Sequence, residues 1–166
     1  MSTEPHKPLV AIIGRANVGK STLFNRLVED QKSLVSAVAG TTRDRNQADC
    51  LWRGQIVSLV ETGGLDVDRK DEIESSIEVQ ARKALAEADA VLFVVDVQSG
   101  LQSEDQSIAK ELKKLNKPVL VVANKADNAE LRAQLNEKEW HNWSFSDMMP
   151  VSARQGTGAG DLLDTL

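Results

Sequence analysis

The eight residues Gly14-Arg15-Ala16-Asn17-Val18-Gly19-Lys20-Ser21 have the types and spacing needed to hold a phosphate chain. They fit the pattern G-x-x-x-x-G-K-[ST]. Glycines let backbone N–H groups close around phosphate oxygens, and a helix starting there adds partial positive charge at its N-terminus. Lys20 would reach the β- and γ-phosphates, while the Ser21 hydroxyl would hold Mg²⁺. The candidate nucleotide-binding residues of this segment are Gly14, Arg15, Ala16, Asn17, Val18, Gly19, Lys20, Ser21 and Thr22. A second group, Asn124, Lys125 and Asp127 in the run Asn-Lys-Ala-Asp, has the chemistry to choose a base. A carboxylate at Asp127 can accept two hydrogen bonds, from N1–H and the exocyclic amine of guanine. Adenine offers no such pair of donors, and a site built around these bonds rejects the wrong partner by roughly 10⁴–10⁵. Ser152-Ala153 supplies a candidate backbone N–H for guanine O6, and Arg154 next to it is a further candidate binding residue. Between these groups lie Glu61-Thr62-Gly63-Gly64 and Gly40-Thr41-Thr42-Arg43-Asp44. The first places an acid, Glu61, to hold Mg²⁺ through water and a glycine, Gly64, whose N–H meets the γ-phosphate; in the second, Thr42 is a candidate Mg²⁺ ligand.

Such groups must be carried by elements that bring them to one edge. Leu9–Ile13 is a continuous apolar run ending at Gly14, which suits a strand buried on both faces. Residues 20–28 then put Leu23, Phe24 and Leu27 at helical spacing. Residues 46–60 read as two strands joined near Arg53-Gly54, and residues 71–88 as a helix with Ile77, Ala81, Ala84, Leu85 and Ala88 on one face. A strand over 90–95 leads to a helix opened by Ser103, with Glu104 and Asp105 in its first turn and Ile108, Leu112 and Leu115 on its apolar face. A strand over 119–123, a helix over 130–136, a short strand over 149–151 and a last helix from Gly160 complete the chain. This alternation predicts one α/β domain with a mainly parallel sheet and helices on both faces. Because the chain stops inside a helix at Leu166, its end is read as a cut rather than a natural terminus.

Composition limits the function classes. The chain has 166 residues, 41% of them hydrophobic and 27% charged, which is one ordinary domain with a real core. Its single cysteine, Cys50, cannot form an internal bridge. A formal net charge of −5 argues against free nucleic acid as a direct partner for the whole surface. No run approaches the roughly 18 apolar residues of a spanning helix, and the N-terminus lacks the apolar centre of a signal peptide. A cytoplasmic location without membrane contact is the expectation.

Taken together, the motifs resemble the TrmE–Era–EngA branch of translation-associated GTPases, and within it the first G domain of the Der (EngA) type. The likeness runs from Lys7 and rests on residues 14–25, on Thr42-Arg43-Asp44-Arg45, on Thr-Gly-Gly at 62–64, on residues 88–96 and on Gly160-Asp161-Leu162-Leu163-Asp164. It implies a Ras-like P-loop G domain with a mainly parallel six-stranded sheet. Residues 1–166 would form a single G domain, the N-terminal part of a longer protein with a second G domain and a C-terminal RNA-binding-type domain. The implied activity is a slowly hydrolysing GTP switch acting, within the parent, in assembly of the large ribosomal subunit. GTP or GDP, Mg²⁺ and potassium are the implied ligands, and Lys20, Thr42, Gly64 and Asn17 the implied catalytic set. Two other readings are a G domain of a tRNA-modifying GTPase and a nucleotide-sensing module without useful turnover.

The chain departs from the family pattern at two positions. Ala16 replaces a proline, which removes loop stiffness. Glu61 replaces the usual aspartate and pushes its carboxylate about 1.5 Å further out. Leu65 stands where Ras-like GTPases carry a water-orienting glutamine, and leucine cannot polarise water. The resemblance implies another device, a potassium ion held beside the phosphates by Asn17. Lys110, Lys113, Lys114 and Lys117 fall on one side of their helix and read as a solvated face; Trp140, Trp143 and Phe145, near His141, read as packing under a loop.

Overall fold

The computed structural model describes residues 6–29, 47–63, 81–141, 143, 145 and 147–166. Strand β1 (Leu9–Ile13) runs up the middle of the molecule and leads into helix α1 (Lys20–Glu29). Strands β2 (Gln47–Trp52) and β3 (Gln55–Glu61) form a hairpin, joined as expected at Arg53-Gly54, where both residues have positive φ. That conformation matches the twist of the two strands. Then come β4 (Ala90–Asp96), α2 (Ser103–Lys114), β5 (Val119–Asn124), α3 (Ala129–Gln134), the short α4 (Lys138–His141), β6 (Met148–Pro150) and α5 (Ala159–Thr165).

The six strands pair in the order β2-β3-β1-β4-β5-β6, and every pair is parallel except β2 with β3. Successive side chains of a strand point to opposite faces, so the apolar runs divide between two cores. Val10, Ile12, Leu92, Val94 and Val122 face α1 and α5 through Leu23, Phe24, Leu27, Leu162 and Leu163. Ile13, Val91, Phe93, Val95, Val121 and Ala123 face α2 and α4 through Ile108, Ala109, Leu112 and Trp140. The expected six-stranded, mainly parallel sheet with helices on both faces is therefore what the chain forms. No helix among the described residues is long and apolar enough to cross a membrane.

Several element boundaries differ from the sequence reading. Helix α2 opens at Ser103 as expected, and the residue that caps it is Gln102, which is extended (φ −103°, ψ 165°) and whose N–H donates to Asp105 Oδ2 at 2.9 Å. Leu115 follows the last helical residue and closes the helix with a bond from its N–H to the Leu112 carbonyl. Asn128 caps α3, accepting from the Leu131 N–H at 2.9 Å, and that helix covers 129–134 instead of 130–136. Both β4 and β5 run one residue further than their apolar stretches, because Asp96 and Asn124 keep the ladder register across the pair. The last strand is Met148–Pro150, one residue earlier than expected, and α5 starts at Ala159. Of the helix expected over 71–88, residues 81–87 are helical, and residues 71–80 lie outside the described residues.

Candidate functional site

The loop from Gly14 to Gly19 joins the end of β1 to the start of α1. Sequence and packing agree on why both ends are glycine. A Cβ on Gly14 would sit 2.5 Å from the Val94 carbonyl oxygen, so the loop leaves the sheet pressed against β4. Gly19 has φ +94°, and a Cβ there would come within 2.3 Å of Asn124 Nδ2. Lys20 is buried at the helix start, and its Nζ donates to the Arg15 carbonyl at 2.8 Å. Val18 anchors the loop in the core, while Asn17, with φ +65°, is exposed at its crest. Ser21 and Thr22 are exposed on the first turn of α1. The Ser21 hydroxyl donates to Glu61 Oε1 at the end of β3, so two of the three expected Mg²⁺ residues meet. Thr62 fixes that strand end with its N–H and hydroxyl on the Ile12 carbonyl, at 3.1 and 2.9 Å, and Gly63 beside it is exposed. Thr42 with its segment 40–44, Gly64 and Leu65 lie outside the described residues.

At the end of β5, two strands along from β1, Asn124 joins three segments. Its Nδ2 donates to the Val18 carbonyl at 2.9 Å, and its Oδ1 accepts the Ala153 N–H at 3.0 Å. Lys125, with φ +64°, reaches back to donate to the Asn17 carbonyl at 2.8 Å and pairs with Asp96 at 2.6 Å. Asp127 accepts the Ser152 hydroxyl at 2.6 Å on Oδ1 and the Gln98 amide at 3.3 Å on Oδ2. The backbone N–H groups expected to meet guanine O6 are engaged within the site. Ser152 donates to the Thr157 carbonyl and Ala153 to Asn124, because a tight loop over 152–157 must satisfy its own buried amides. The carbonyls of Ala153 and Arg154 accept from Arg26 of α1, at 2.9 and 2.7 Å.

The side chain of Arg15 takes a direction that the loop motif does not specify. Its Nε donates to Asp105 Oδ2 at 3.2 Å and its Nη2 to the Ser99 hydroxyl, so the guanidinium faces α2. Asp105 is fully buried, and desolvation pushes its carboxyl above the ordinary range against the pull of Arg15. Asp96, Asp105, Arg26 and Gln98 were not singled out in the sequence as site residues. Two of them carried a signal: Asp96 ends an apolar strand run, and Asp105 stands three residues before Ile108, on the apolar stripe of α2.

The basic row on α2 divides into different roles. Lys114 pairs with Glu111, whereas Lys117 Nζ donates to the carbonyls of Leu85, Ala86 and Ala88, at 2.7, 2.6 and 2.7 Å. Lys117 thus closes the end of the helical segment 81–87 instead of standing on a solvated face. Trp140, Trp143 and Phe145 pack around Phe93, with ring centres 5.4 Å apart for Phe93 and Trp143, as a packing role requires. Among the described residues no group of three or more His, Cys, Asp and Glu could hold a metal alone. Ser21 and Glu61 offer hard oxygen donors that suit Mg²⁺ sharing its shell with phosphate and water.

A family model described as "50S ribosome-binding GTPase" matches residues 9–125, from β1 through the phosphate loop to Lys125. The chain belongs to the 50S ribosome-binding GTPase family. Within that family it is similar to GTPase Der of Amoebophilus asiaticus, 48% identical over 156 residues, which is 94% of this chain and 36% of that protein. Likeness to GTPase Der of Pelotomaculum thermopropionicum is 46% over 160 residues, 96% of this chain and again 36% of the relative. The chain thus spans about a third of the length of these curated relatives. The expected resemblance to a G domain of the Der type is what these matches return. Solved structures of Era share the fold of this chain. Era of Aquifex aeolicus bound to GDP·AlF₄⁻ superposes with a TM-score of 0.79 at 35% identity, over 95% of this chain and 55% of that one. Era with MgGDPNP and a segment of 16S ribosomal RNA gives 0.80 at 34% identity, over 96% and 56%.

Proposed function

We propose that this chain is a single G domain, residues 1–166, that binds GTP and hydrolyses it slowly. Within a longer cytoplasmic parent carrying a second G domain and a C-terminal RNA-binding-type domain, it would act as a switch in assembly of the large ribosomal subunit. The observation that carries the reading is Asn124, whose one side chain ties the phosphate loop at Val18 to the base-side loop at Ala153. A phosphate cradle after β1 and a carboxylate base reader after β5, at the same edge of the sheet, are what a guanine nucleotide requires. The relatives support GTPase Der and give no support to a tRNA-modifying enzyme.

In this reading the N–H groups of residues 14–22 surround the phosphates, and Lys20 balances their charge. Asp127 reads the guanine donors, and Arg154 flanks the base beside Ser152 and Ala153. Ser21, Thr42 and, through water, Glu61 would hold Mg²⁺, which neutralises charge on the β- and γ-phosphates. Gly64 would donate its N–H to the γ-phosphate. Asn17, exposed at the loop crest with its carbonyl held by Lys125, would hold potassium to meet charge in the transition state. The test is calorimetric titration with GTP, GDP and ATP, followed by phosphate release in potassium and in sodium. Tight binding of both guanine nucleotides and none of ATP is expected, with turnover raised at least about tenfold by potassium, ~1.4 kcal/mol of barrier. Equal affinity for ATP and GTP would overturn the guanine reading, and equal rates in the two salts the potassium mechanism.

A further inference from the structure

Three features outside the motifs invite a role. The groove between the end of α2 and Phe145 shows nothing that would occupy it. Gln98 touches Asp127 only at long range from an exposed position. The third, the contact between Arg15 and Asp105, carries an inference.

Asp105 is fully buried on the core side of α2, and its Oδ1 accepts no hydrogen bond. An ionised carboxylate so placed is costly unless a paired charge offsets it. The cation on it is Arg15, whose own side chain is 17% exposed, so the pair is almost wholly out of water. Asp105 is also rigidly mounted. Its other oxygen fixes the N-cap of α2 at Gln102, and α2 is seated on the sheet by Ile108, Ala109 and Leu112. The phosphate loop gains an external tie that the motif itself does not provide. The loop's later carbonyls, Asn17 and Val18, are held by Lys125 and Asn124, while its first half is held from outside by Arg15 reaching Asp105 and Ser99. The Arg15 carbonyl meanwhile accepts the Lys20 ammonium, so any shift of Arg15 moves the acceptor that orients Lys20.

We propose that Arg15 is a positioning residue that locks the phosphate loop to α2 through Asp105, and that its guanidinium is no phosphate ligand. This rests on the reading of residues 14–21 as the phosphate site. Pre-organisation of this kind slows ligand escape, because a bound phosphate chain leaves when its loop opens.

The experiment is stopped-flow release of a fluorescent GDP from the whole chain and from Arg15→Ala, Asp105→Asn, the double variant and Leu112→Ala. Asp105→Asn keeps the shape of the side chain and removes the charge, so the test does not depend on Arg15→Ala folding. Leu112→Ala empties core beside α2 without touching the loop and reports the effect of lost stability alone. We expect both single variants to release GDP at least about tenfold faster, a change of about 1.4 kcal/mol. The double variant should be no faster than either single one, because a lock is broken once. Leu112→Ala should lower the melting temperature while leaving release within about twofold of the unmodified chain. A phosphate-contacting Arg15 would instead leave Asp105→Asn at the unmodified rate, and that outcome overturns the proposal. So does release from Leu112→Ala as fast as from the lock variants. Absence of GDP binding by the unmodified chain would overturn the phosphate-site reading itself, and is distinguished by appearing before any substitution is made.

Discussion

Asp127 and Cys50 show how differently two side chains can be read at the residue scale. The Asp127 carboxylate, proposed as the base reader, accepts the Ser152 hydroxyl on one oxygen and the Gln98 amide on the other, which fixes its orientation. Asp127→Asn replaces an acceptor with a donor, so it should weaken GTP and GDP together by at least about a hundredfold. Xanthine nucleotides, whose C2 oxygen accepts a hydrogen bond, should then be preferred; competition calorimetry measures the exchange. Cys50 has no part in this chemistry. Its thiol is fully buried, donates to the Leu27 carbonyl at 3.3 Å, and burial pushes its pKa up to about 11. Thiolate is the reactive form, so a maleimide should label Cys50 only after denaturation, as mass spectrometry would show. The sign of the linked stability follows from the same shift. Below the ordinary pKa of 9.0 both folded and unfolded thiols are protonated, and stability falls as pH rises from there toward 11, because between the two values the unfolded chain releases its proton while the folded chain keeps it.

The ends of elements matter more here than their middles. Three strands of the parallel set end on a polar residue beside the site: Glu61 on β3, Asp96 on β4 and Asn124 on β5. Such ends form the crevice where open α/β sheets bind ligands. The same economy appears at helix ends. Lys117, just beyond α2, satisfies carbonyls at the end of the helical segment 81–87, which would otherwise lack partners. Lys117→Met keeps the aliphatic length and removes the donor. It should lower unfolding stability by about 1–2 kcal/mol in urea titration, with GDP affinity unchanged once folded. Glu111→Gln, which removes the exposed partner of Lys114, should leave the urea midpoint unchanged in the same titration.

For the molecule as a whole, the sheet order decides what can meet. With β1 between β3 and β4, the phosphate loop lies beside the ends of both, and β5 brings Asn124 to its far side. Asn124 is 2% exposed and holds both the Val18 carbonyl and the Ala153 N–H, so in the proposed reading folding and binding would share it. Asn124→Ala should cost about 2–3 kcal/mol of stability by leaving both backbone groups unpaired, and should also weaken GDP binding. Bound GDP should recover part of the lost melting temperature only at concentrations well above those the unmodified chain needs. Differential scanning fluorimetry across a GDP series reads both effects.

The sequence by itself determined the alternation of buried strands and amphipathic helices, because a strand buried on both faces must be continuously apolar and a surface helix must repeat at its own period. It also made the Gly14–Ser21 segment and the Asn-Lys-Ala-Asp group legible as candidate site residues, since each is contiguous and carries its residue types at a fixed spacing. Element ends were less legible, because capping at Gln102 and Asn128 depends on hydrogen bonds that propensity does not weigh. Only the tertiary structure decided the long-range partners. Nothing local tells Arg15 to turn to Asp105, Lys125 to Asp96, Arg26 to the 153–154 carbonyls or Lys117 to the end of another helix. These are contacts between charged or polar groups far apart in the chain. Their geometry exists only after the two apolar cores have fixed the sheet order, and burial then makes each of them expensive to leave unpaired.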